Sequence, residues 1–316
     1  MVIAEAQRAV LLAASRNSRL REVVERAPVT RELVRRFVAG TGDDHALEVA
    51  TELRGQGMLV TLDRLGEDVT DAADAAATRD AYVGLLGRLS ALGLTEGGAV
   101  ETSVKLSALG QALGASGEQT ALENARAICD AASLAGTTVT LDMEDHTTVD
   151  STLRVLEALR ADFPWVGAVL QSQLRRTEAD CRELATAGSR VRLCKGAYAQ
   201  PESVAFATPH EVDRSYVRCL KVLMAGEGYP MVASHDPTLL EIADAVARDV
   251  GRDGDSWEVQ MLLGVRPEEQ ARLAALGRRV RTYVPYGEDW YAYLVRRLAE
   301  RPANLALLLR SLTSTK

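Results

Sequence analysis

Two adjacent arginines, Arg296 and Arg297, lie between Tyr293 and Glu300 in the stretch VPYGEDWYAYLVRRLAERPAN, residues 284–304. At 100° per residue a helix brings all four into a sector of roughly 100°, so they share one face. Two guanidiniums side by side can cradle a planar anion through parallel charge-assisted bonds. Glu300, four residues after Arg296, can hold that arginine still, and the tyrosine adds an apolar wall with a polar tip. The face therefore suits a small, anionic, partly apolar molecule. A solvated helix with an incidental ion pair is the plain alternative. Arg35 and Arg36 repeat the pair near the N-terminus, where no chemistry is assigned.

Further polar residues stand at the ends of short apolar runs. They are Lys105, Asp142 with Glu144 and Asp145, and Gln171. Arg192, Lys195 and Tyr198 follow, then Ser234 with His235, and Tyr283 with Glu288. Each has a structural reading too. Lys105 also reads as a surface lysine, Asp142 as an ion-pair partner, and His235 as a turn cap before Pro237. Arg190, Arg192 and Cys194 alternate on one strand face, which is either interior or solvent-side. In the interior the arginine charge needs a partner. Gly196 in KGAY lets the backbone approach a ligand closely and offers amide donors.

These residues must be positioned by the runs that carry them: 58–65, 99–106, 138–144, 166–172, 190–197, 231–236, 257–264 and 278–287. Each reads as a strand. Between them lie segments such as GEQTALENARAICDAASLAG, whose apolar residues recur three and four apart, the helix period. Eight such units over about 260 residues are the signature of an α/β (β/α)8 barrel, in which chemistry gathers at the C-terminal strand ends. Residues 1–40 are expected to form an N-terminal helical arm and 41–316 the barrel. An open doubly wound sheet is the alternative, disfavoured because no GxGxxG turn is present.

The chain has 316 residues, 47% of them hydrophobic, enough for a large core, and a formal net charge of −7. That balance argues against sequence-independent nucleic-acid binding, which draws its affinity from excess Lys and Arg. Cys129, Cys181, Cys194 and Cys219 are scattered without a close pair, so neither a CxxC site nor a metal site is expected. No secretory signal and no run of roughly 18 apolar residues is present, and a cytoplasmic protein is expected.

The motifs SVKLSALG, LDMEDH, LQ at 170–171, RLCKGAY, SHD, QMLLGV, RTYVPYG and YLVRRLAERPAN occur in that order. In this the chain resembles the monofunctional bacterial proline dehydrogenases, the family that also supplies one half of bifunctional proline-utilisation proteins. The resemblance implies a distorted TIM-like barrel with noncovalent FAD at the strand C-termini and a last helix lying over the barrel mouth. It implies that Arg296 and Arg297 bind the carboxylate of L-proline, with Lys105 assisting and Glu300 pairing with Arg296. Tyr198, Leu262, Tyr283 and Tyr293 would enclose the substrate. Arg192 is implied at the flavin N5 side and Gln171 at the polar edge of the ring. Met143, Lys195, Gly196, Ala197, Ser234 and His235 are implied as further FAD contacts, and Asp142 as catalytic. Ser234 stands where many relatives have Thr, and Ser172 and Gln173 stand where relatives have an aromatic.

The implied reaction is hydride transfer from proline C5 to flavin, giving Δ1-pyrroline-5-carboxylate, with electrons passed to a membrane quinone and peripheral membrane association following from that acceptor. No unambiguous general base is visible: Asp142 is a candidate, or it only orders Lys105. Two other chemistries stay open from the residues alone. Lys105 or Lys195 at a strand end suits a Schiff-base aldolase, and a barrel that only binds a ligand is the third reading.

Overall fold

The computed structural model describes residues 34–300 and the side chains of residues 34–295. All eight expected strands are present. After α1 (Asp43–Gly55) come β1 (Leu59–Arg64), α2 (Ala72–Ala91), β2 (Val100–Val104), α3 (Gly117–Ala135), β3 (Val139–Leu141) and α4 (Val149–Arg160). They are followed by β4 (Gly167–Gln171), α5 (Thr177–Leu184), β5 (Arg190–Cys194), α6 (Pro209–Ala225) and β6 (Tyr229–Ala233). The chain continues through α7 (Pro237–Asp249), β7 (Glu258–Leu262), α8 (Pro267–Ala275), β8 (Val280–Tyr286) and α9 (Trp290–Glu300). Neighbouring strands are parallel, and β1 pairs with both β2 and β8, which closes the barrel.

Local sequence sets the helix starts. Before α6, Thr208 and Glu211 form a reciprocal capping box and Pro209 occupies the first turn. Before α7, the Asp236 side chain accepts from the Thr238 amide, so the turn ahead of Pro237 is capped by the aspartate and not by His235. Both devices stop a strand-end loop at a fixed point and start its helix there.

The apolar core lies between the strands and the surrounding helices. One cluster joins α1, β1, α6 and β6 through Leu47, Val60, Leu220 and Val232, and another joins α2, α3 and α4 through Tyr82, Ile128 and Leu156. Inside the barrel the composition changes. Barrel interiors are normally filled with bulky branched side chains, yet here Thr61, Asp63, Glu101, Ser103, Arg192, Glu258, Gln260 and Arg281 are buried. Arg190 on β5 reaches Glu101 on β2 at 2.7 Å, although these strands are not neighbours. Only the barrel interior allows that contact, which settles the face on which Arg190 and Arg192 lie.

Candidate active site

Strand alternation stacks the interior charges in two layers. The lower layer, toward the strand N-termini, holds Glu101, Arg190, Glu258 and Arg281. Arg281 donates to Glu258 through Nε at 2.6 Å and Nη2 at 3.2 Å, and to the carbonyls of Val60 and Gly98 at 2.9 and 3.2 Å. Glu101 accepts from Thr61 at 2.9 Å and Thr138 at 2.6 Å besides Arg190. Burial alone would raise the Glu101 carboxyl, but Arg281, Arg190 and Arg192 outweigh it and hold the carboxyl at about 2.

The upper layer sits at the C-terminal strand ends. Lys105 Nζ donates to both carboxylate oxygens of Asp63 at 2.8 Å and lies 3.9 Å from Asp142 Oδ2. Arg192 Nη1 donates to Asp142 Oδ1 at 2.7 Å and Ser103 Oγ at 3.0 Å, while its Nε donates to Gln260 Oε1 at 2.6 Å. Tyr283 donates its hydroxyl to the other Asp142 oxygen at 2.7 Å, and its ring lies 5.2 Å from the Arg192 guanidinium carbon. Arg192 Nη2 is buried with no hydrogen-bond partner, although Glu101 Oε1 is 3.6 Å away. A donor left over in a buried position is a candidate for a ligand acceptor.

Burial acts oppositely on the two members of the lysine pair: it raises Asp63 and by itself would lower Lys105. Two bonds at 2.8 Å, with Asp142 nearby, keep the proton on nitrogen, so Lys105 is an ammonium held well above the ordinary lysine value. Burial, reinforced by Asp142 and Asp63, likewise pushes the Tyr283 phenol well above its ordinary value. Tyr283 is therefore a donor to Asp142. Lys105 is bonded to Asp63, with Asp142 farther off at 3.9 Å, and Asp142 also joins Arg192 to Tyr283.

Four of the sequence-derived residues, Lys105, Asp142, Arg192 and Tyr283, thus form one connected group. A second group gathers on Gln171, whose amide donates to the carbonyls of Met143 at 3.0 Å and Glu144 at 2.7 Å. Gln173 donates to Gln171 Oε1 at 2.9 Å and to the Tyr198 carbonyl at 3.2 Å. Gly196 has φ +114, a backbone conformation that favours glycine, and a Cβ there would meet the far end of the Gln173 side chain at 2.3 Å and displace it. The Gln173 side chain therefore lines this side of the group with an amide. Ala197 is partly buried beside it.

A third group lies on β6 and β7. The Leu262 amide donates to His235 Nε2 at 2.9 Å, and Ser234 Oγ accepts from the Asp236 amide at 3.1 Å. Lys195 is shared between Asp213 at 2.6 Å and Asp236 at 3.3 Å. Leu262 pairs in register with Tyr283, and Met143 follows Asp142 in the chain, so both outer groups adjoin the central one. At the mouth, Tyr293 on α9 packs with Phe37, Val38 and Leu65. The chain at 36–40 is tied to the strand ends by Arg36 Nε to the Gly264 carbonyl at 3.2 Å and by Gly287 N to the Gly40 carbonyl at 2.8 Å. The side chains of Arg296, Arg297 and Glu300 lie outside the described residues.

Asp63, Ser103 and Gln260 belong to the site and escaped the sequence reading. Asp63 ends a strand, as Lys105 does, and that position is the signal that could have found it. Glu144 is a further buried acid here, accepting from Ser107 Oγ at 2.7 Å and Ser107 N at 3.2 Å. Burial raises its carboxyl to about 7, and those two donors offset only part of the effect.

A family profile described as proline dehydrogenase matches residues 46–308. The chain is 38% identical over 282 residues to the proline dehydrogenase of Deinococcus radiodurans, covering 89% of this chain and 90% of that one. It is 33% identical over 305 residues to proline dehydrogenase 1 of Bacillus subtilis, covering 96% and 98%. Among solved structures, proline utilization A of Bdellovibrio bacteriovorus, inactivated by N-propargylglycine, superposes with a TM-score of 0.80 at 26% identity. That match covers 88% of this chain and 34% of the other, so the chain corresponds to about a third of that protein. With the profile spanning the barrel and two relatives matched nearly end to end, the chain belongs to the proline dehydrogenase family.

Proposed function

We propose that the chain oxidises L-proline to Δ1-pyrroline-5-carboxylate with noncovalently bound FAD. The observation that carries this reading is the buried Arg192, fixed by three neighbours at the strand C-termini of a chain in this family, with one donor to spare. One feature suits a flavin: Arg192 Nη2, buried without a hydrogen bond, can meet a ring acceptor. Met143, Gln171, Arg192, Lys195, Gly196, Ala197, Ser234 and His235 would hold the cofactor. When bound, it supplies the acceptor for the hydride equivalent leaving C5 and passes the electrons on to a quinone.

The protein's own part is binding and orientation. Arg296 and Arg297 fix the substrate carboxylate with Lys105, and Glu300 steadies Arg296. Tyr198, Leu262, Tyr283 and Tyr293 enclose the ring and exclude water, which strengthens every charge contact inside. The substrate amine must be neutral for its lone pair to assist C5–H cleavage. A Schiff-base reading needs a lysine that loses its proton readily, and the carboxylates around Lys105 oppose that. Quinone reduction calls for peripheral contact with the cytoplasmic face of a membrane. Among the described residues no helix is long and apolar enough to cross one.

Anaerobic titration of the purified protein with proline tests the reading. A flavin absorption spectrum that proline bleaches is expected. A colourless protein, or one trapped by borohydride with a keto acid, would overturn it.

A further inference from the structure

The segment between β1 and α2, residues 65–71, is held near its middle by a single residue. The amides of Asp68 and Val69 donate to Ser107 Oγ at 3.2 Å and to the Ser107 carbonyl at 3.1 Å. Asp68 has φ +56, a left-handed conformation that a residue other than glycine keeps only where its surroundings hold it. Ser107 lies in the turn after β2 and is held in its turn by Glu144, in the loop after β3. Its hydroxyl donates to Glu144 Oε1 at 2.7 Å and its amide to Oε2 at 3.2 Å. The Glu144 carbonyl accepts from Gln171, at the end of β4, at 2.7 Å. One line of hydrogen bonds therefore joins the ends of four successive strands. Its first end lies on the proposed substrate side, since Leu65 packs in the same cluster as Tyr293. Its other end is the Gln171 group proposed for the cofactor.

Among the described residues the Glu144 carboxylate accepts from Ser107 alone. Burial raises it to about 7, with Glu67 adding to the rise and Lys105 opposing it, so the ionised form costs stability at alkaline pH. A glutamine of the same shape would avoid that cost, but it accepts on only one arm. Two Ser107 donors converge on this group, and only a carboxylate accepts both and leaves the Ser107 oxygen a lone pair for Asp68.

We infer that Glu144 and Ser107 are positioning residues: they fix the loop after β1 on the substrate side of the mouth and tie its place to the Gln171 group on the cofactor side. This assignment rests on the proline reading above and deepens it, adding two residues that act on substrate recognition without touching the substrate. A charged group kept against its stability cost is expected at such a position and not in plain scaffold.

Glu144→Gln and Ser107→Ala, compared in the holoenzyme at pH 8, separate positioning from support of the fold. Glu144→Gln should resist denaturant better than the wild type and still recognise proline less well, with KM raised by about fivefold or more, the scale of one lost hydrogen bond. The limiting rate of flavin reduction should stay within about twofold, because Arg192 and its partners are untouched. Ser107→Ala should raise KM to a similar extent, and the double variant no further than the worse single one, because both substitutions cut the same line. A carboxylate that only supports the fold predicts a stabilised Glu144→Gln with the KM of the wild type.

Amide hydrogen exchange gives a readout that needs no substrate. Exchange over residues 65–71 should accelerate by about fivefold or more in both variants, while that of α2 stays as in the wild type. A wild-type KM in Glu144→Gln, a fall in limiting rate as large as the rise in KM, unchanged exchange over 65–71, or additive losses in the double variant would each overturn the inference. Failure of the proline reading itself would look different, as a wild-type spectrum that proline does not bleach, and would leave the exchange result standing.

Discussion

The lower and upper layers of the barrel interior hold the same kinds of charge, two carboxylates and two cations each, and use them differently. In the lower layer every nitrogen of Arg281 is engaged by Glu258 or by backbone carbonyls, and Glu101 is held by threonines as well as arginines. In the upper layer Arg192 leaves Nη2 without a hydrogen bond, and Lys105 rests on Asp63 with Asp142 farther away. Charges tied to the backbone join strands together. Each layer leaves one guanidinium nitrogen without a hydrogen bond, Arg190 Nε below and Arg192 Nη2 above, but only the upper layer stands at the strand C-termini, where a ligand reaches a barrel. The difference is one of position along the strands: alternation on β2, β5, β7 and β8 feeds both layers, and β1 and the end of β3 add Asp63 and Asp142 to the upper one.

The largest effect is expected from the lower layer. Arg281→Met strands Glu258 without its cation, and breaking a buried pair from one side costs about 3–5 kcal/mol. Denaturant unfolding reads this directly. A loss under about 1 kcal/mol would place Arg281 with the weak, exposed pairs and undo the distinction between the layers.

Acid should also find the lower layer. The Glu101 carboxyl is held at about 2 against an ordinary 4.5, a depressed value, so its contribution is present above pH 4.5 and lost as pH falls toward 2. At 1.36 kcal/mol per unit the loss is about 3 kcal/mol. Unfolding midpoints measured across that window, compared with those of Glu101→Gln, should show the slope in the wild type and not in the variant.

At the mouth, Arg297→Ala should cost roughly 1.5–3 kcal/mol of proline recognition, one to two decades in kcat/KM. Prolinamide lacks the carboxylate and should lose little more in the variant than in the wild type. Comparing the two losses isolates the arginine–carboxylate contact. Equal losses on both would move Arg297 from substrate recognition to support of the fold.

The smallest effect sharpens the contrast by reversing its sign. Glu144 is raised to about 7, so its folded form favours the proton, and stability present below pH 4.5 is lost as pH rises through 7. Glu144→Gln should therefore stabilise the protein by about 1–3 kcal/mol at pH 8 and little at pH 4. Equal effects at both pH values would mean that the carboxyl titrates normally.

The strands were legible because β-branched runs alternate with helical periods, and all eight occur where expected, shifted by three residues or fewer at either end. The polar strand ends were legible by type. Their pairing was not, because barrel closure joins residues far apart in the chain: Tyr283 meets Asp142 at a separation of 141 and Lys105 meets Asp63 at 42. An aspartate inside LVTLDR says nothing by itself about the lysine it will hold. Sequence alone likewise left Arg192 on either of two faces, and the contacts of Arg190 and Arg192 with β2 across the barrel decide between them.

The most direct test of the division between layers is rapid-mixing reduction, by proline, of the flavin proposed for the site in Arg192→Met, at saturating substrate and with FAD content checked. A buried cation that strengthens its contact as negative charge develops contributes to the rate more than to binding. The limiting reduction rate should fall by about tenfold or more while the unfolding midpoint falls less than in Arg281→Met. An unchanged limiting rate in Arg192→Met, with only stability lost, would mean that the upper layer is scaffold like the lower one.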